Sequence, residues 1–161
     1  MEDYSELILS LAAVVLFSLF ALHTNRIMHA SDLRDVENGV KAEALRITES
    51  VIQRASVLPF DELVIGTRLQ NMNPESLTSS ENFGMPEGRE SPIDFDDFHG
   101  KEMMIYGVYG EFVITCEVEY IAPGTVSVPM GGRSVRKRLT VTTNHEQLNS
   151  PVRMRYLKSY Y

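Results

Sequence analysis

The first proline of the chain is Pro59, and the hydrophobic pattern ahead of it changes character halfway along. Leu7 to Leu22 is apolar apart from Ser10 and Ser18. Extended through His23 and Thr24, this run approaches the ~20 residues that cross a bilayer as a helix. A secretory signal peptide opens on positive charge and closes on small residues at a cleavage site. This run opens on Glu2, Asp3 and Glu6, and no such site follows it. A buried core helix is the other alternative, but such helices rarely carry so uniform an apolar surface. The expectation is therefore an uncleaved membrane-spanning helix. Lys and Arg beside a span favour the cytoplasmic side. Arg26 and Arg34 follow the run and none precede it, which by itself favours a cytoplasmic C-terminal domain.

From Asn25 to Leu58 the pattern becomes amphipathic. Val36, Val40, Ala44, Ile47, Val51, Ala55 and Leu58 recur at alternating steps of four and three, the signature of one helical face. Val36, Val40, Ile47 and Val51 are the residues expected to pack against a partner layer. Gly39 is a weak point, at a cost of roughly 1 kcal/mol relative to alanine. The residue before a proline is disfavoured in the helical region, so the helix is expected to end at Leu58.

Residues 66–100 read as irregular, punctuated by Asn73-Pro74, Met85-Pro86 and Ser91-Pro92. Strand-like alternation then takes over. MMIYGVYG and EFVITCEVEY suggest two strands joined near Gly110. RSVRKRLTVTTN places Val135, Leu139 and Val141 opposite Arg136 and Arg138, and PVRMRYLKSYY places Val152, Met154, Tyr156 and Tyr160 opposite Arg153 and Arg155. These are antiparallel strands with one apolar face, and Glu117 and Glu119 are charge partners for the arginines. The apolar face needs a cover, and the stripe on residues 25–58 is the element able to provide it. The predicted class is α+β. Residues 1–24 form an apolar half-helix and residues 25–58 an amphipathic one. Residues 59–161 form a globular region with its sheet over 103–161.

A net charge of −7 argues against a general nucleic-acid binder. Catalysis has little support, since no nucleophile elbow or HExxH motif occurs. The lone cysteine, Cys116, shares its strand parity with Ile114 and Val118 and reads as a small core residue. The most site-like constellation is Asp94, Asp96, Asp97 and His99, a candidate set for a divalent cation such as calcium. Its alternative is a turn in which aspartates bond nearby amides, because calcium prefers more oxygens than this segment supplies. No other cofactor is indicated. Tyr156, Tyr160 and Tyr161 suit either an adhesive surface or the aromatics of a closing strand.

A long helix with an apolar first half, a glutamate near its start and a second half suited to an antiparallel sheet resembles a type IV pilin or pseudopilin. The segment SPIDFDDFHG, with RKRLTVTT and PVRMRYLKSYY after it, resembles minor pilins of mannose-sensitive haemagglutinin pili. The resemblance implies a non-enzymatic filament subunit serving cell adhesion or secretion. It implies assembly through Glu6, Leu7, Leu11, Val14 and Val15, with Glu6 pairing with the terminal amine of a neighbouring subunit or else marking the membrane boundary. The implied partners are copies of the chain or other pilin-like subunits, the inner-membrane assembly machinery, and lipid before assembly. The implied location is the bacterial inner membrane with an extracytoplasmic C-terminal domain, or an extracellular pilus. The family's basic leader, removed before methylation, does not precede Met1, so a processed form or a chain outside that pathway is expected. The competing expectation is a single-span anchored protein that binds a ligand or partner without polymerising.

Overall fold

A computed structural model of the chain describes residues 2–65 and 73–160. Helix α1 runs over Glu2–Val57. By contact density the chain divides into residues 1–39 and 40–161, a boundary that falls at Gly39, where the sequence places its weakest helical residue. Each unit is described separately below.

In the first unit, Tyr4–Met28 is long and apolar enough to cross a membrane, and none of that surface is buried. Three of its hydroxyl side chains are satisfied within the helix itself. Ser10 Oγ donates to the Leu7 carbonyl at 2.9 Å, Ser18 Oγ to Val14 at 2.8 Å and Thr24 Oγ1 to Phe20 at 3.0 Å. Such back-bonding satisfies each of these hydroxyls within its own helix, so Ser10 and Ser18 add little polarity to the apolar stretch from Leu7 to Leu22.

The second unit holds a four-stranded antiparallel sheet in the order β1–β2–β3–β4, over Glu102–Gly107, Gly110–Tyr120, Arg136–Asn144 and Val152–Ser159. Each strand pairs with its neighbour in sequence. Phe112, Ile114, Cys116, Val118, Leu139, Val141 and Val152 form one buried cluster with Val40, Ala44, Ile47, Val51, Ile52 and Ala55 of α1. The helical stripe and the apolar sheet face thus cover each other as their periodicities require. Val36 departs from that stripe: it is 43% exposed, whereas Val40 is fully buried. The covered stripe therefore begins one step later than the spacing alone suggests.

Two polar contacts lock the layers. Thr48 Oγ1 and Thr143 Oγ1 lie 2.7 Å apart in the buried interface. Glu43 reaches from α1 to the β1–β2 hairpin, where its Oε1 accepts the Val108 amide at 3.0 Å. The path is open because residue 107 is glycine: a Cβ there would lie 2.4 Å from Glu43 Oε1 and 3.0 Å from the Phe112 ring. Gly107→Ala is expected to push the carboxylate off Val108. It should cost about 1.5–3 kcal/mol, the range for a hydrogen bond to a charged group. Denaturant titration would read this as a lowered midpoint at unchanged slope.

The end of α1 is capped from the far end of the chain. Lys158 of β4 donates to the Ser56 carbonyl at 2.8 Å and to the Leu58 carbonyl. A cation at a helix C-terminus satisfies orphan carbonyls and complements the dipole. Pro59 follows, as expected. Across β2 and β3, Glu119 pairs with Arg138 at 2.6 Å, one of the charge complements anticipated from the alternation.

Candidate functional site

Two features of the molecule invite a functional reading: in the first unit the bare apolar helix, and in the second a cluster of buried charge. On the helix, Leu7, Leu11, Val14 and Val15 are all more than half exposed, and Glu6 is exposed at the start of the run.

The charged cluster begins immediately after Pro59. Asp61 caps a short 3-10 turn, Glu62–Val64, accepting the Leu63 amide at 3.1 Å. Its carboxylate also accepts the Thr78 amide at 2.8 Å and the Thr78 hydroxyl at 3.1 Å. Asp94 and Asp96 come from the loop ahead of β1, and single oxygens of Asp61, Asp94 and Asp96 converge within 4.8 Å of one another. All three side chains are buried. Into them points Lys137 of β3, itself 0% exposed. Its Nζ donates to Asp96 Oδ1 at 2.7 Å, to Asp61 Oδ2 at 2.9 Å and to the Phe60 carbonyl at 3.0 Å. Three rings surround the ammonium, Phe60, Phe83 and Tyr120, with centroids 4.6, 5.1 and 5.4 Å away. The Tyr120 hydroxyl is anchored on the Thr78 carbonyl at 2.7 Å, and burial pushes its ionisation upward.

The electrostatics follow from this packing. Three carboxylates face one ammonium, so full ionisation would leave excess negative charge in a water-poor space. Burial, opposed by the attraction of Lys137, pushes Asp96 up to about 7. Burial also raises Asp94, whose oxygens accept the Glu62 and Asp97 amides at 2.9 and 3.1 Å. Lys158 shifts downward, first through burial and then through repulsion by Lys137.

The Asp94, Asp96, Asp97 and His99 set of the sequence is divided by the fold. Asp94 and Asp96 join Asp61 around the ammonium. Asp97 turns away, accepting the Ile93 amide at 2.8 Å and pairing with Arg89 at 3.0 Å. His99 Nδ1 accepts the Val118 amide at 3.1 Å and so ties the loop to β2. Among these aspartates the cation in place is an amine of the chain itself. Sequence reasoning missed both Lys137 and Asp61. The alternation contained a signal for the first, since Lys137 has the parity of Val135, Leu139 and Val141 and therefore faces inward.

The other candidates resolve as packing. Cys116 is buried, and its thiol is pushed up to about 11 by burial, which keeps it protonated and unreactive at neutral pH. Tyr156 and Tyr160 are partly buried against the two core clusters, with Tyr160 edge-on to Phe60 at 5.5 Å. Tyr161 and residues 66–72 lie outside the described residues.

Comparison with family models, with curated proteins and with solved structures finds no match.

Proposed function

We propose that the chain is a structural subunit, of the minor kind, of a type IV pilus-like or pseudopilus filament, and that it works by association rather than catalysis. The observation that carries this reading is the division of labour along α1. Residues 40–55 supply one layer of a closed core, while Tyr4–Met28 of the same helix has none of its surface buried and is apolar from Leu7 to Leu22 apart from Ser10 and Ser18. Before assembly that surface suits lipid. In a filament it suits the same segment of other copies or of related subunits. Ser10, Ala12, Ala13 and Ser18 are small enough for close helix approach. Machinery in a bacterial inner membrane would move the subunit from lipid to filament, with the C-terminal domain on the extracytoplasmic side. The core of the second unit supports a non-enzymatic role, because its buried thiol is held protonated and its buried carboxylates are engaged with a lysine and with backbone amides.

Filament fractions sheared from cells and imaged by electron microscopy, with peptide mapping of the N-terminus, test the reading. The expected result is the chain within filaments, its Leu7–Leu22 segment protected. Monomer confined to membranes would favour the plain single-span anchor. Glu6→Ala is expected to reduce incorporation several-fold while leaving membrane insertion intact, since the apolar run is unchanged. Undiminished filament yield and composition would reduce Glu6 to a boundary residue.

A further inference from the structure

The buried lysine cluster has the parts of a covalent cross-link. We propose that Lys137 and Asp96 condense to an intramolecular amide, joining β3 to the loop ahead of β1, with Asp61 as the proton carrier. The inference stands apart from the filament reading, because it rests only on groups of the second unit.

The roles follow from the hydrogen bonds. Lys137 Nζ is 2.7 Å from Asp96 Oδ1, and that ammonium is the one hydrogen-bond partner of the Asp96 side chain among the described residues. Asp96 is therefore the carboxyl least committed elsewhere and the natural electrophile. Asp61 is held by the Leu63 amide, the Thr78 amide and the Thr78 hydroxyl, and it touches the same Nζ at 2.9 Å. Those bonds fix the Asp61 carboxylate beside Nζ, where it can take a proton directly from the nitrogen. Phe60, Phe83 and Tyr120 wall the site with rings. Such a low-dielectric space disfavours an ionised carboxylate, and burial shifts Asp96 toward the neutral acid that the nitrogen would attack. Holding nucleophile and electrophile in contact supplies the high effective concentration that amide formation lacks in water.

The step balances without an outside reagent. The Lys137 ammonium passes one proton to the Asp96 carboxylate, leaving a free amine and a carboxylic acid. The nitrogen lone pair attacks Asp96 Cγ, a C–N bond forms, and the carbonyl pair moves onto oxygen. Asp61 takes the second proton from nitrogen and delivers it to the Asp96 hydroxyl. The C–O bond breaks as the carbonyl re-forms, and one water leaves. Ammonium and carboxylate have become an amide and water, with no change of oxidation state.

Peptide mapping of the purified full-length chain by mass spectrometry decides the matter. The expected product is a branched peptide joining the segments that contain Asp96 and Lys137, lighter by one water than their sum. Recovery of linear peptides with both side chains free would overturn the proposal. Asp61→Asn keeps Lys137 and Asp96 adjacent while removing the proton carrier, so linear peptides are expected from that variant. A link formed undiminished in Asp61→Asn would remove Asp61 from the mechanism.

Discussion

Relative to the chain before Lys137 and Asp96 condense, Lys137→Met is expected to be the most damaging single substitution in the folded domain, lowering its stability by about 3–5 kcal/mol, the range for stranding buried charge by removing one partner. Methionine fills much of the same space, so the loss would be electrostatic rather than a cavity effect. It would leave the buried carboxylates of Asp61, Asp94 and Asp96 with no ammonium among them. Chemical denaturation followed by tyrosine fluorescence would measure it. Adding Asp96→Leu to the variant should recover part of the loss, because it removes a buried carboxylate whose hydrogen-bond partner among the described residues was that amine. A variant as stable as the parent would mean that water, and not Lys137, compensates these aspartates.

Val15→Arg is expected to abolish both membrane retention and filament assembly. Val15 lies near the middle of Tyr4–Met28 and is half exposed along a surface with no buried residue. Arginine at the centre of a spanning helix costs ~2.5–3.5 kcal/mol on insertion scales. It would also place a charge inside any bundle of these helices. Val15→Leu should change neither property. Val57→Arg, at the exposed end of the same helix, should also change neither. Flotation of membrane fractions and electron microscopy of sheared material would separate the two effects. A Val15→Arg protein that stayed in the membrane would show that the apolar run does not need its hydrophobic centre.

The elements proved easy to read from sequence where one periodicity ruled. The four-and-three spacing from Val40 to Ala55 and the alternation from Phe112 to Tyr120 each name a face, and those faces meet in the core. The Glu119–Arg138 pair followed from opposite charges on adjacent strands. The cluster around Lys137 was harder to see because its members are far apart in sequence. Asp61 and Lys137 are separated by 76 positions and Asp96 and Lys137 by 41. No local pattern links Pro59-Phe60-Asp61 to a strand so much later. Local acidity instead drew attention to Asp97 and His99, whose partners proved to be Arg89 and the Val118 amide. Val36 fits the helical spacing yet lies outside the covered stripe, since periodicity gives direction but not the length of the layer that covers it.

The lysine that caps α1 sets an order of events during synthesis. Lys158 meets the Ser56 carbonyl across 102 positions, and Thr48 meets Thr143 across 95. Contacts at such separation form late, because the intervening chain must first exist and then close into a loop. The carbonyls at the end of α1 thus wait for a residue made 102 positions after Ser56. The apolar run precedes every strand of the sheet in the chain and so is made before any of it. A chain of this design makes its apolar helix before it can close its core, and loss of β4 would leave the end of α1 uncapped and part of its stripe uncovered.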